Sequence, residues 1–342
     1  MKKELLIGDC HFGIKSNSTE WLRQQTDYFD TEVVSTIRDK GIERVIFLGD
    51  LTDVRYSINQ QVGIELKELI KRIVEKFPSV EFIFLAGNHD FYSPLEEFAH
   101  FNSYELLFDD EFMKLHKNVT FITEEPKLID DELFLPWFWT ENPDHFDDMV
   151  YRFDLKHEVK CIFCHADLTV WPAGRIASLY GSPVYAGHIH YIVDDPIGNL
   201  HNVGALFPLT FNDVNQTRYM YILEDHKVVE KIENTKTFQF RRLFNEEIFT
   251  ATEEVFNNAY VELWVSDTNY KSARYIEQIK MLKTTYLNSN IRVHVIDDDE
   301  DISKLETAGS FDTNIGQYIE ENIPSNLRSR YEEIKKIITD KG

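Results

Sequence analysis

The sequence predicts an α/β fold (α+β over the whole chain): a sandwich of two sheets with helices outside, a small α+β unit, and a C-terminal helical tail. Three observations carry this. The first 90 residues alternate strand-like and helix-like segments. From residue 119 short strands separated by turn residues take over. Beginning at residue 297, five acids in a row (DDDED) precede a last amphipathic stretch.

Residues 4–8 (ELLIG) read as a short apolar strand. Residues 20–40 have helical periodicity, with Ser18 or Thr19 as cap and Gly41 as stop. Residues 44–48 (RVIFL) are a strand that ends in Gly49-Asp50. Residues 58–76 form an amphipathic helix that stops before Pro78, and 80–86 (VEFIFLA) are a strand that runs into Gly87-Asn88-His89-Asp90. This β-α-β-α-β order implies a parallel sheet covered by helices. The later strands are VTFI, ELFLPW, VKCIFC, PVYAG, YIVDD, NLHNV and RYMYIL, with helices near 143–155 and 173–179. A second sheet packed on the first accounts for both textures. The expected domains are 1–234 (sandwich), 235–297 (small α+β unit), 298–312 (acidic linker) and 313–342 (helical tail). The small unit should hold strands at 237–242, 260–265 and 291–296 and a helix at 271–286. The tail, broken at Pro324, cannot cover its own apolar faces and needs the body or a partner.

With 342 residues, 43% of them apolar, the chain can bury a sizeable core. The apolar run in MKKELLIGD is too short for a signal peptide, and no run approaches a bilayer span. A cytoplasmic protein without membrane contact is the expectation. Cys10, Cys161 and Cys164 make no disulfide framework, which fits a reducing compartment. The CxxC of Cys161 and Cys164 lies in an apolar run and reads as buried small residues. The net charge of −23 should repel nucleic acid at long range unless cations or a partner intervene.

Five segments place metal-ligand residue types after strand-like runs: Asp9-Cys10-His11, Asp50-Leu51-Thr52-Asp53, Asn88-His89-Asp90, His165, and His188-Ile189-His190. Each alone has a dull explanation, since a histidine at a strand end is more often a solvated surface residue. Together they differ, because open α/β sheets bind ligands outside the carboxyl ends of their strands. The set supplies oxygen and imidazole donors for two metals without any thiolate, which suits Mn, Fe, Zn or Mg. Two ions about 3.5–4 Å apart can clamp a phosphoryl group and stabilise both attacking and leaving oxygens. If the strand continues through its motif, Asp9 and His11 share one face and Cys10 points to the other, a packed spacer.

In this order, D-x-H, GD-x-x-D, GNHD, a lone His and GH-x-H resemble the calcineurin-like metallophosphoesterase superfamily. Within it the chain most resembles the SbcD-type DNA repair nucleases, especially the recombination nuclease subunits of T-even-like bacteriophages. GDCHFGIKSNSTEW, GDLTDVR, GNHD and NVGALFPLTFND carry that likeness, with the layout of small unit, acidic linker and helical tail. Protein phosphatases of the superfamily usually have Arg-Gly after the second Asp and GNHE; this chain has neither.

The resemblance implies that Asp9, His11, Asp50 and His190 hold one metal, and Asp50, Asn88, His165 and His188 the other, with Asp50 bridging. It implies two divalent ions, Mn²⁺ foremost and Mg²⁺ as the substitute. His89 would face the scissile phosphate as a catalytic group. Asp53 would either orient His89 or serve its own turn. Lys15 and Arg55, just past two of the motifs, are candidate DNA contacts, or simply solvated bases. Thr52 and Ala205 depart from the family pattern at the expected edge of the site. The implied activity is a DNA nuclease, a 3′-to-5′ exonuclease on duplex ends and an endonuclease on single strands. The implied partners are DNA, an SbcC-like SMC-type ATPase bound through the tail, and a second copy of the chain. A phosphodiesterase for small nucleotides, and a metal-poor interaction module, are the competing expectations.

Overall fold

The computed structural model describes residues 2–138, 159–167, 181–195, 199–214 and 216–298. The expected helices at 143–155 and 173–179, most of the acidic run and the tail lie outside the described residues. The chain divides into two compact units. The first is Met1–Leu209 with Gln216–Phe238, and the second is Thr210–Asn215 with Gln239–Gly342.

The first unit opens with β1 (Lys3–Ile7), β2 (Arg44–Phe47), β3 (Glu81–Leu85) and β4 (Val119–Ile122), all parallel. A second sheet follows: β5 (Lys127–Ile129), β6 (Glu132–Leu135), β7 (Cys161–His165), β8 (Val184–Gly187), β9 (Val193–Asp195) and β10 (Leu200–Asn202). The chain then returns through β11 (Tyr219–Glu224) and β12 (Lys227–Glu233), which extend the first sheet antiparallel beside β1. The orders are β12-β11-β1-β2-β3-β4 and β5-β6-β7-β8-β10-β9. VTFI thus belongs to the first sheet, although its texture suggested the second.

Strand alternation assigns the faces. Leu6, Ile46, Leu48, Ile83 and Leu85 meet Phe134, Phe163 and Tyr185 in one buried cluster between the sheets. On the other face of the first sheet, Phe47 stacks on Phe84 at 4.3 Å, and Phe29 from the helical layer lies over Phe47 at 6.1 Å. That layer begins at helix Thr19–Tyr28, where the Ser18 hydroxyl accepts from the Trp21 amide. The expected continuous helix contains a π turn, Phe29–Val33, before Val34–Lys40, and ends at Gly41 with φ 65°. Helix Gln60–Lys76 is capped by Asn59 and buries Val62, Leu66, Leu69, Ile70, Ile73 and Val74, one stripe at helical spacing. No helix among the described residues is long and apolar enough to cross a membrane.

At the amino ends of the parallel strands, Arg44 is fully buried among carboxylates from both sheets. It bonds Glu4 at 3.2 Å, Glu81 at 2.7 Å and Asp130 at 2.9 Å, and it also bonds Glu132. Burial, and then the neighbouring Glu132, push the Glu4 carboxyl up to about 8 against the opposing pull of Arg44.

The second unit carries three parallel strands, β13 (Gln239–Phe244), β14 (Ala259–Ser266) and β15 (Asn290–Ile296), in that spatial order. Helix Ala273–Thr285 lays Tyr275, Ile279 and Leu282 into a core with Val261, Leu263 and Val265. On the opposite face of β14, Glu262 accepts from Arg242 Nε at 3.1 Å and Trp264 Nε1 at 3.2 Å.

Candidate metal centre

Parallel pairing brings the carboxyl ends of β1, β2 and β3 to one edge of the first sheet, and those of β7 and β8 to one edge of the second. Each motif begins where one of these strands stops. Asp9 and His11 follow β1, Asp50 follows β2, Asn88 and His89 follow β3, His165 ends β7, and His188 and His190 follow β8.

The side chains converge in two groups that share one carboxylate. Ligand atoms of Asp9, His11, Asp50 and His190 lie within 4.8 Å of one another, and so do those of Asp50, His165 and His188. The Asn88 amide oxygen completes the second group, 2.9 Å from His165 Nε2 and 2.8 Å from His188 Nδ1. In the first group His11 Nε2 and His190 Nε2 face each other at 3.0 Å. Asp9 and Asp50 are buried. The seven residues expected as ligands thus lie together in these two groups. Cys10 is outside both groups: its buried thiol donates to the Gly8 carbonyl at 3.4 Å.

The ring tautomers fit metal ligation. His165 Nδ1 lies 2.7 Å from the Leu48 carbonyl. A carbonyl only accepts, so Nδ1 carries a proton and Nε2 is the atom left to ligate. His11 Nδ1 lies 3.2 Å from Asp53 Oδ1, which likewise turns His11 Nε2 toward His190. Burial, then the charge of His165, lower His188 to about 4, and burial and His11 lower His190 to about 3. Both rings are thus neutral near pH 7, the form that binds a metal. Burial raises Asp9 to about 6. Burial opposes ionisation of Asp50 as well, but His165 and His11 hold it well below the usual carboxylate range. His165 is pushed up to about 9, against its burial, by Asp50 and Asp9, so that in a metal-free centre it carries the positive charge. Buried carboxylates, imidazoles and an amide oxygen, converging on two groups, fit a pair of divalent cations.

The supporting contacts are mostly ones that motif reading does not reach. The His188 amide donates to both oxygens of Asp9 at 3.1 Å, and the His89 amide donates to Asp50 Oδ1 at 2.7 Å. Asn202 Nδ2 donates to the Ile189 carbonyl at 2.6 Å and so steadies the loop between the two β8 histidines. A Cβ on Gly87 would collide with Asp50 and His165, and one on Gly187 with Asp9 and the Leu48 carbonyl, so both positions need glycine for close approach. Asp90 is the residue whose role the sequence reading missed. Its buried carboxylate accepts from the amides of Leu51 (3.3 Å), Thr52 (3.1 Å) and Gly87 (3.0 Å) and from the hydroxyls of Thr52, Ser103 and Tyr104. It ties the β2 loop to the β3 loop. A carboxylate placed after Asn-His on a strand-end turn was its available signal. Thr52, expected at the edge of the site, is buried and serves Asp90; Ala205 is buried too.

His89 is half-buried, its ring edge-on to His11 at 4.8 Å. Its Nδ1 lies 2.5 Å from the backbone carbonyl of Asp53. Asp53 therefore orients His89 through its main chain, while its carboxylate pairs with His11. Lys15 is exposed in a left-handed turn (φ 55°) after β1. Arg55 sets its guanidinium 5.8 Å from the centre of the Trp137 ring.

No curated protein matches the chain. Among solved structures, one aligns 98% of its own chain with 68% of this one, at 12% identity and a TM-score of 0.39, too slight a likeness to argue from. The family model described as calcineurin-like phosphoesterase matches residues 3–277, a span that includes all five motif segments, and the chain belongs to that family of metal-dependent phosphoester hydrolases.

Proposed function

We propose that the protein is a two-metal DNA nuclease, the SbcD-like subunit of a complex that processes DNA ends in recombination and repair, with Mn²⁺ as its preferred metal. The observation that carries the phosphodiester chemistry is the pair of ligand groups sharing Asp50, with His89 beside them and outside both. Two divalent ions held there would supply nucleophile activation and stabilisation of the phosphoryl charge. The protein's own part is positional and acid–base. The Asp53 carbonyl fixes the proton on His89 Nδ1, which leaves Nε2 for the substrate. When protonated, Nε2 donates to the departing oxygen as a general acid. The Asp9 and Asp50 carboxylates accept from the amides of His188 and His89, so the loops bearing the histidines are held before substrate arrives.

The choice of DNA rests on the sequence resemblance, and so do the homodimer and the ATPase bound by residues 313–342. The net charge of −23 favours a second reading, a phosphodiesterase for small nucleotides that needs no basic groove. One experiment separates the two. Wild type and His89→Ala are assayed on linear duplex DNA, single-stranded DNA and bis(p-nitrophenyl) phosphate, with Mn²⁺, after chelation, and with the ATPase added. The nuclease reading expects Mn²⁺-dependent DNA cleavage that the ATPase stimulates. It also expects a loss of about 10²–10⁴-fold in His89→Ala with bound metal unchanged. Turnover of the small ester alone, with every DNA untouched, points to the small-substrate enzyme instead.

A further inference from the structure

We infer that a pocket beside the metal centre binds a nucleobase of the substrate strand, an inference that rests on the nuclease reading above. The pocket is a concavity of about 360 Å³ between the loops that follow β2 and β3. Those loops carry the metal-centre residues Asp50 and Asp53 and Asn88 and His89. Its walls include Tyr56, Tyr92 and Phe101, which are 68%, 50% and 53% exposed. Large rings clustered in solvent on a concave surface mark a binding site more often than chance. They are not satisfied by stacking on one another. Tyr56 meets Tyr92 edge-on (5.9 Å, 90°), Tyr92 meets Phe101 at 73°, and the His100 ring lies 3.9 Å from Phe101, so it is the tyrosine rings, with no stacked partner in the pocket, that offer area to a flat ligand.

Position and charge select the ligand. Tyr56 lies three residues beyond Asp53 and Tyr92 three beyond His89. At ~3.6 Å per residue this is at most about 11 Å of chain, the span of about three stacked nucleotides at ~3.4 Å each. Arg55 puts a cation in the wall, opposite in sign to a phosphodiester, and Glu105 offers an acceptor for an exocyclic amine. A chain of net charge −23 also has reason to hold a strand by its bases, because stacking on aromatic rings does not require a positive surface.

The test uses the full chain and a single-stranded oligonucleotide containing one 2-aminopurine, with phosphorothioate linkages to keep the strand intact. Its position is moved base by base. One position should be quenched on binding, and an abasic residue there should weaken binding about tenfold. Tyr56→Ala and Tyr92→Ala should each abolish the quench and the abasic penalty together. The pocket assignment fails if no position is quenched, or if the abasic penalty persists in both variants. It fails equally if the variants convert a dimer to a monomer in sedimentation while the quench remains, because the pocket would then face a second copy. Hydrolysis of bis(p-nitrophenyl) phosphate is followed in parallel. Its absence in wild type overturns phosphodiester hydrolysis, and with it the nuclease reading, while the quench still decides the pocket.

Discussion

Asp90 is the sharpest place to test how the centre is held. Asp90→Asn keeps the size and shape of the side chain but replaces one acceptor oxygen with an NH₂ group. In the orientation that suits it best, the new amide nitrogen faces the Thr52 amide and the hydroxyls of Thr52 and Ser103. The hydroxyls can turn and accept; the backbone N–H cannot. One buried amide then loses its partner, at about 1–3 kcal/mol. The amides of Leu51 and Gly87 keep an oxygen but lose its charge, at about 1 kcal/mol each. The opposite flip strands two amides and is worse. Burial and the Asp50 charge push the Asp90 carboxyl up, and its backbone donors pull it back. A destabilisation of at least about 3 kcal/mol follows, or roughly 6–12 °C in Tm for a unit of this size. Because the stranded Thr52 amide and the weakened Leu51 and Gly87 amides lie within two residues of Asp50 and Asn88, Mn²⁺ affinity should fall about 10–100-fold, as for other contacts that orient metal ligands. Urea unfolding gives the first quantity and calorimetric Mn²⁺ titration the second. Ser103→Ala is the control, since it removes one neutral donor and leaves the carboxylate intact. An Asp90→Asn protein within about 0.5 kcal/mol of wild type would refute the reasoning.

Gly87→Ala should strip the centre of metal by mass spectrometry, because its Cβ enters the space of Asp50 and His165. Gly41→Ala, at a helix end with φ 65° and open space around it, should cost about 1–2 kcal/mol and leave metal content unchanged. Cys10→Ala should also spare the metal, and a clear loss of bound Mn²⁺ would restore Cys10 as a ligand. Glu4, raised from the ordinary 4.5 to about 8, binds a proton in the folded chain that the unfolded chain has released. Its contribution is therefore complete below about pH 4.5 and falls as pH rises toward 8, by at most about 1.4 kcal/mol per pH unit. Glu4→Gln should flatten that decline in urea midpoints taken from pH 5 to 8. Removal of residues 312–342 should leave Mn²⁺-dependent cleavage intact and abolish co-purification with the ATPase; retained co-purification refutes the tail's role.

The sequence exposes what is local and periodic. The alternation of strands and helices through residue 86 could be read because apolar spacing, caps and Gly41 all agree within each segment. The candidate ligands could be read because each lies at or just past the end of a strand. The pairing of β4 with β3 could not, since VTFI looks the same in either sheet and only long-range hydrogen bonds choose between them. The π turn at Phe29–Val33 was hidden because it preserves helical periodicity on both sides. Asp53 shows the deeper limit. Its type suggested a carboxylate behind His89, but the group that fixes His89 is a carbonyl, which every residue possesses. A main-chain role leaves little trace in residue identity. Asp90 is the opposite case: it stood within GNHD, but five of its six donors come from segments brought to it only by folding.

The backbone of the centre points the same way as its side chains. His11, Asp50 and His188 all have positive φ, at 49°, 48° and 89°. For residues other than glycine the left-handed region costs about 1–2 kcal/mol each, and glycine at these positions would relieve it. A chain selected for stability alone has no reason to keep three side chains there. Each is a candidate ligand whose position depends on the sharp turn: Asp50 leaves Gly49 (φ 103°) directly for the shared centre, and His188 turns its amide back onto Asp9. The strain is held by hydrogen bonds from the Cys10 and His11 amides to the Asp50 carbonyl, each at 3.0 Å, and by the clamp of Asp90. The centre is thus preformed at the expense of backbone comfort, which is the arrangement expected where ligand geometry, rather than packing, decides which residue occupies a turn.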